Sequence, residues 1–173
     1  SAPGIEIINL TLSDDKTSGA NDTLSIADTS LTTLKVSGSA GVTLGTLTGA
    51  TSLTSIDASG ITTKAANTGI SVTTDALTSA ATIKGSSNGN DTIVASAATK
   101  VVTITGGDGD STVTVNNNNA NSITVGKGNN TISAVGTTGR TITAGSGNNT
   151  ITTGSGMDTI VVGNATNAIS ISQ

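Results

Sequence analysis

The chain has 173 residues, carries a formal net charge of −4, and contains no Phe, Trp, Tyr, Cys or His. The missing Cys and His exclude disulfides and the Ser-His and Cys-His catalytic systems, and seven scattered Lys and Arg residues do not supply the basic surface that nucleic-acid binding requires. The sequence contains no run of about 18 apolar residues and so predicts no transmembrane helix. Because the core lacks aromatic side chains, it must be thin enough for Ala, Val, Ile and Leu to fill it.

Several acids surround residues 19–24 near the N-terminus, where the sequence reads Gly-Ala-Asn-Asp-Thr-Leu. Asp14 and Asp22 are candidate metal ligands in this group, together with Asp15 and Asp28. The alternative is a solvated polar edge without a ligand.

A leucine-containing repeat follows. The stretch "LTTLKVSG" (residues 31–38) recurs 22 residues later as "LTSIDASG" (residues 53–60), and "ATIKGS" (residues 81–86) is a looser third copy. Such a repeat predicts long strand-and-turn coils that stack on one another. If the coils stack in register, Lys35 and Asp57 occupy the same position in neighbouring coils and can pair. We therefore expect an irregular solenoid region over residues 1–80.

The repeat becomes shorter and regular over residues 81–173. Ile or Val recurs every 9 to 11 residues, which is too short for a helical crossover between parallel strands. Alternate units then belong to two sheets, and we predict an all-β, right-handed parallel β-solenoid or β-roll with about 19 residues per coil, continuous with the first region. One sheet stacks Ile93, Val113, Ile132, Ile151 and Ile169, and the other stacks Ile104, Ile123, Ile142 and Ile160.

Glycine-rich turns precede these strands, and they contain side chains whose oxygen atoms could bind a metal ion. Calcium takes about six to eight oxygens, and glycine lets a turn aim its carbonyl groups at one point. Asp91, Asp108 and Asp110 lie in turns of adjacent coils and are the main candidate Ca²⁺ ligands. Asp158 is a further candidate on the opposite edge. The alternative for all of them is a turn-capping role, which Asp and Asn commonly have.

Asparagine replaces aspartate in the following turns, at positions 130, 149 and 167. An amide side chain is uncharged and therefore binds a hard dication such as Ca²⁺ more weakly than a carboxylate does. Lys127 lies beside these three positions, and its positive charge repels a cation. We expect Asn130, Asn149 and Asn167 to form a ladder of stacked amides without metal.

Two groups of motifs resemble the RTX-type bacterial surface-layer proteins. "LTTLKVSGS" and "SLTSIDASGIT" resemble their Thr/Ser/Ala-rich leucine repeats, and "NGNDTI", "GGDGDSTV" and "SGMDTI" resemble their calcium-binding nonapeptides. The resemblance implies secretion to the bacterial cell surface, folding in calcium and self-association into a two-dimensional lattice, with cell-surface polysaccharide as a partner through regions outside this chain. It assigns a ligand role to Asp91, Asp110 and Asp158, and it fails at Ser111 and at the three asparagines.

Three other functions stay open at this stage. The first is a calcium-dependent secreted adhesin or its spacer region, and the second is the β-roll module of a carbohydrate-acting enzyme. The third follows from Thr-x-Thr rows on the strands, which resemble the faces of ice-binding solenoids, although Thr also suits any exposed strand. We expect a structural protein rather than an enzyme.

Overall fold

The computed structural model describes residues 4–13, 21–62 and 68–172 of the chain. These residues form sixteen strands and no helix, and the strands pair in parallel into two eight-stranded sheets. Successive strands alternate between the sheets, so that each coil of the chain adds one strand to each. The predicted all-β solenoid is therefore confirmed. Nothing in the described part of the chain is a helix long and apolar enough to cross a membrane.

The odd-numbered strands form one sheet, named here the odd sheet, and the even-numbered strands form the even sheet. In the odd sheet the strands are β1 (Ile7–Leu12), β3 (Thr33–Gly38), β5 (Ser55–Ile61), β7 (Ala81–Lys84), β9 (Val102–Thr105), β11 (Ser122–Val125), β13 (Thr141–Ala144) and β15 (Thr159–Val162). In the even sheet they are β2 (Asp22–Thr23), β4 (Val42–Thr46), β6 (Ile70–Thr73), β8 (Thr92–Val94), β10 (Thr112–Thr114), β12 (Thr131–Ala134), β14 (Thr150–Thr153) and β16 (Ala168–Ile171).

The core consists of aliphatic columns that run along the solenoid. Within the strands, side chains alternate between the interior and the outside, and the inward ones are buried except in the first and last coils. Both predicted columns are confirmed by the strand register. The even sheet stacks Ile93, Val113, Ile132, Ile151 and Ile169, and the odd sheet stacks Ile104, Ile123, Ile142 and Ile160.

The leucine repeats also stack as predicted. In the strand register Leu34 lies beside Ile56, Lys35 lies beside Asp57, and Asp57 lies in turn beside Lys84, so the loose third copy is in register with the first two. The carboxylate of Asp57 accepts a hydrogen bond of 2.6 Å from the hydroxyl of Ser59. This bond is the main cause that lowers the pKa of Asp57, and the positive charges of Lys84 and Lys35 lower that pKa further.

Coil length changes along the chain. Hydrogen bonds between equivalent turns span 26 residues from Thr32 to Glu6 and 27 from Thr78 to Thr51, but only 19 from Ser111 to Asn130 and 18 from Asn149 to Asn167. The pairings of β3 with β5 and of β4 with β6 contain register shifts, whereas those from β8 onward do not.

Truncation of a column residue tests the core. Ile123 is fully buried in β11, and its neighbour Thr124 faces outward and is exposed. Ile123→Ala should lower the free energy of unfolding by about 2–5 kcal/mol, because it removes buried methyl groups and leaves a cavity. Thr124→Ala is the matched control and should change it by less than about 0.5 kcal/mol. Urea unfolding followed by circular dichroism measures both, and equal effects would contradict the assignment of Ile123 to the core.

Candidate functional site

The three main candidate ligands, Asp91, Asp108 and Asp110, lie in turns that precede even strands. We define the inner row as the residue just before each even strand from β8 onward, which gives Asp91, Ser111, Asn130, Asn149 and Asn167. The outer row lies one residue earlier and consists of Asn90, Asp110, Asn129 and Asn148. Inner-row residues 91 to 149 are buried, and the acids of the outer turn, Asp108 and Asp110, are exposed.

From Asn130 to Asn167 the inner row is a ladder of amides, as predicted. Asn149 Oδ1 accepts hydrogen bonds from the backbone N–H and the side-chain amide of Asn130, at 3.2 and 2.9 Å. Asn167 Oδ1 accepts the same pair of bonds from Asn149, at 3.1 and 2.9 Å. Each side-chain amide also donates to carbonyl groups of its own turn, at 2.7 Å for Asn130 to Gly128 and 2.6 Å for Asn149 to Gly147. An inner-row oxygen therefore reaches back to the preceding coil.

The outer row reaches in the opposite direction. Asn90 Oδ1 accepts the backbone N–H of Asp110 at 2.8 Å, and Asp110 Oδ1 accepts that of Asn129 at 2.7 Å. Asn129 Oδ1 continues the series by accepting the N–H of Asn148 at 2.9 Å. One oxygen of Asp110 thus has the same role as the amide oxygens of its neighbours, and it is directed at the protein backbone.

Asp91 is the one acid of the inner row, and it is fully buried. Its Oδ1 accepts hydrogen bonds from the backbone N–H of Ile70 and of Ser86, both at 3.0 Å, and from the Ser86 hydroxyl at 2.7 Å. Burial raises the pKa of Asp91, although these bonds and the backbone amide of Gly107 favour the charged form. Neither Asp91 Oδ2 nor the next rung, Ser111 Oγ, has a hydrogen-bond partner among the described residues.

Gly85 makes room for this carboxylate. A Cβ atom at position 85 would clash with Asp91 Oδ2, so any side chain there would displace the buried acid. The close approach explains why glycine occupies a position at the end of a strand, where it contributes no packing.

Asp108 lies on the surface of the same turn as Asp110. Its Oδ2 atom is 2.9 Å from Nζ of Lys127 in the next coil, and both side chains are largely exposed. The hydrogen bond from the Lys127 side chain is the main cause that lowers the pKa of Asp108. A cation at Asp108 would have to compete with this ammonium group.

Asp158 lies on the opposite edge, before β15, and its neighbour there is a buried arginine that the sequence reasoning missed. Asp158 Oδ1 accepts the backbone N–H of Arg140 at 2.9 Å. The Arg140 guanidinium donates to the carbonyl oxygens of Thr138 at 2.9 Å and of Val135 at 3.2 Å, and to that of Asn117. Burial lowers the pKa of Arg140. The sequence offered one indication of this role, because Arg140 occupies the position that Asn121 occupies one coil earlier.

The remaining candidates lie near the N-terminus. Asp22 is exposed in β2 and pairs with Val42, while Asp14 lies outside the described residues. Asp28 accepts the backbone N–H of Ile5 at 2.9 Å and of Ser30 at 2.8 Å. Across the described ranges, no three acidic, His or Cys side chains come together as a metal-binding group. The buried Asp91 and the exposed Asp108 and Asp110 lie at different depths in the solenoid.

Comparison of the chain with protein-family models, with curated protein sequences and with solved structures gives no significant match in any of the three.

Asp91→Asn tests the inner row. An amide at position 91 could donate hydrogen bonds to its own turn, as Asn130 and Asn149 do. At neutral pH the variant should therefore melt at a higher temperature than the parent, and its free energy of unfolding should be about 1–3 kcal/mol larger. The folded-state pKa of Asp91 is raised, so the parent loses stability as pH rises above about 4, the usual range of this group. The variant should lack this loss.

Thermal melts between pH 4 and pH 8 in chelator-treated buffer measure the difference. Asp28, Asp57 and Asp108 have a lowered pKa. Their contribution to stability is lost as the pH falls, and this loss occurs below pH 4, outside the range of the melts. Asn149→Asp is the reciprocal control and should destabilise the protein at neutral pH. A gain for Asp91→Asn that stays constant with pH would contradict the prediction.

Proposed function

We propose that this chain is a structural segment of a self-assembling bacterial surface layer outside the cell, and that it acts by holding a rigid spacing and by contacting other copies. The main support is the use of its polar turn residues. The side-chain oxygens of Asn130, Asn149, Asp110 and Asn129 accept backbone N–H groups of neighbouring coils, which suits a scaffold. The resemblance of the repeats to RTX-type surface-layer proteins supports the location and the lattice.

The dimensions suit a spacer. Eight strands stack in each sheet, and with a separation of about 4.8 Å between neighbouring strands the solenoid is roughly 34 Å long. The outward faces carry mainly Thr and Ser, which hydrate well and leave few exposed aliphatic side chains between the two ends.

The proposal includes a calcium ion that binds at the surface and stabilises the folded chain. Asp108 and Asp110 lie in one exposed turn and offer carboxylate oxygens, the ligands that calcium prefers. Lys127 holds one of the two carboxylates in an ion pair, so we expect a weak site that fills at millimolar calcium.

A second candidate function, ice binding, is favoured by one specific observation. Thr92, Thr112, Thr131 and Thr150 are exposed and occupy successive rungs of the even sheet. They place hydroxyl groups on the outer face of the even sheet at intervals of about 4.8 Å. Thermal hysteresis, a gap between the melting and growth temperatures of a single ice crystal in the protein solution, would support this function. Growth of the crystal as soon as the temperature falls below its melting point would exclude it.

The calcium site is tested by titration calorimetry together with melting curves. The parent should release or absorb heat on binding and should melt at a higher temperature in millimolar calcium, because an ion that binds only the folded state stabilises it. Asp108→Asn combined with Asp110→Asn should lose both effects, whereas Asp91→Asn should keep them. No binding heat and an unchanged melting temperature in the parent would contradict the calcium proposal.

Assembly is tested by electron microscopy of the concentrated chain with calcium and with chelator. Ordered two-dimensional arrays are the expected result. A protein that stays dispersed under both conditions would contradict the surface-layer function, and specific binding of the dispersed protein to cells or glycans would favour an adhesin.

A further inference from the structure

Two buried oxygen atoms without a partner lie on neighbouring coils. Asp91 and Ser111 occupy successive rungs of the inner row, since Thr92 is in register with Thr112, and both side chains are fully buried. Neither Asp91 Oδ2 nor Ser111 Oγ has a hydrogen-bond partner within the described ranges. Burying a polar atom without a partner is costly, so two such atoms on adjacent rungs point to a bound group that satisfies both.

The geometry of the ladder shows where Asp91 Oδ2 points. Asp91 Oδ1 accepts the backbone N–H of Ile70 in the preceding coil, as the other inner-row oxygens do. Its Oδ2 therefore takes the position of the amide nitrogen, which in Asn130 is directed at Oδ1 of the following rung, Asn149, at 2.9 Å. The backbone amide of Gly107, also in the following coil, stabilises the same carboxylate. Asp91 Oδ2 is thus directed towards the Ser111 rung.

Glycine leaves space beside both oxygens. Gly85 follows β7 and Gly106 follows β9 at equivalent positions of the odd sheet. A Cβ atom at position 85 would clash with Asp91 Oδ2, and one at position 106 would lie 3.0 Å from Ser111 Oγ. In the three later coils, where the inner row has asparagine, the equivalent position carries a side chain, which is Val125, Ala144 or Val162. The side chain is therefore missing only beside the Asp91 and Ser111 rungs of this series.

The spacing of the two rungs suits one bridging water molecule. Register neighbours in a sheet are about 4.8 Å apart, which is too long for a direct hydrogen bond. An oxygen atom that makes two hydrogen bonds of about 2.8 Å at a near-tetrahedral angle joins atoms about 4.6 Å apart. Buried waters typically satisfy polar groups of this kind, and a polar site with at least two partners is what they require.

We propose that one structural water molecule is bound between Asp91 and Ser111, where a regular rung would place the side-chain oxygen of asparagine. It donates one hydrogen to Asp91 Oδ2 and shares a second hydrogen bond with Ser111 Oγ. A calcium ion would need about six to eight oxygens, and Asp91 is the one acid of the inner row. The site also explains the serine, because the oxygen of an asparagine at position 111 would face Asp91 Oδ2 with no hydrogen between them.

Magnetic relaxation dispersion of solvent water, which counts buried waters with long residence times, tests the proposal on the 173-residue chain. Ser111→Asn should have one long-lived water fewer than the parent, because its amide displaces the bound molecule. Thr153→Val is the matched control, since Thr153 is also fully buried and its Oγ1 has no partner in the described part of the chain. This variant should keep the count of the parent.

Thermal melts of four chains at neutral pH provide a second measurement, which does not depend on counting waters. Ser111→Asn should lower the melting temperature of the parent, because two acceptor oxygens then face each other. In the Asp91→Asn background the same substitution should raise the melting temperature, because the amide of residue 91 can donate to the oxygen of residue 111 as Asn130 donates to Asn149. The double variant also repeats the water count if the single variant does not fold.

Four results would overturn the proposal. The first is an equal water count in the parent and Ser111→Asn, and the second is an effect of Ser111→Asn with the same sign in both backgrounds. The third is a crystal structure in which Ser111 Oγ bonds directly to Asp91 Oδ2. The fourth is a higher melting temperature in sodium chloride than in tetramethylammonium chloride of equal ionic strength, lost in Asp91→Asn, which would identify a monovalent cation. None of these measurements depends on whether the chain forms arrays.

Discussion

The structure depends on one interaction, the acceptance of a backbone amide hydrogen by an Asn or Asp side-chain oxygen of a neighbouring coil. Parallel strands pair their own backbone groups, but the turns of a solenoid leave N–H groups that need another acceptor. Inner-row oxygens such as that of Asn149 reach the preceding coil, and outer-row oxygens such as that of Asn129 reach the following one. Each turn is thereby bonded in both directions, and the same division recurs on the opposite edge at Asn121 and Asn116.

The exceptions to this pattern show what the ladder requires. Asn130 and Asn149 of the inner row meet two requirements, because each accepts a hydrogen bond from the preceding coil and each donates to its own turn. The Ser111 hydroxyl meets neither among the described residues.

On the opposite edge, the Arg140 guanidinium meets the second requirement by donating to carbonyl groups of its own turn, and Asp158 of the following coil accepts the Arg140 backbone N–H. Asp91 satisfies the first requirement, and the Ser86 hydroxyl lies within hydrogen-bond distance of both Asp91 and the carbonyl of Gly89. Among the described residues, the buried charged side chains of Asp91 and Arg140 therefore each occupy a rung position that asparagine holds elsewhere.

The sequence was sufficient to predict the solenoid, the columns and the amide ladder, because all three follow from a constant repeat and from side-chain alternation. The column of Ile132 and Ile151 and the pair of Lys35 with Asp57 are examples. It was not sufficient for the roles of the individual acids. Asp91 and Asp110 belong to similar Gly-Asn-Asp and Gly-Asp-Ser turns, and a shift of one position puts the first in the core and the second on the surface. The depth of Arg140 was also hidden, since arginine is rarely buried without a paired charge.

The turns of the solenoid are therefore bonded to both neighbouring coils, as its strands are, and this is the property that the proposed spacing role requires. Hydrogen exchange of individual amides, followed by nuclear magnetic resonance, tests this claim most directly. The turn amides of Asn130, Asn149 and Asn129, each bonded to a side-chain oxygen, should exchange as slowly as the strand amides beside them. Rapid exchange of these amides within a slowly exchanging solenoid would contradict the account, because the side-chain ladders would then not hold the coils together.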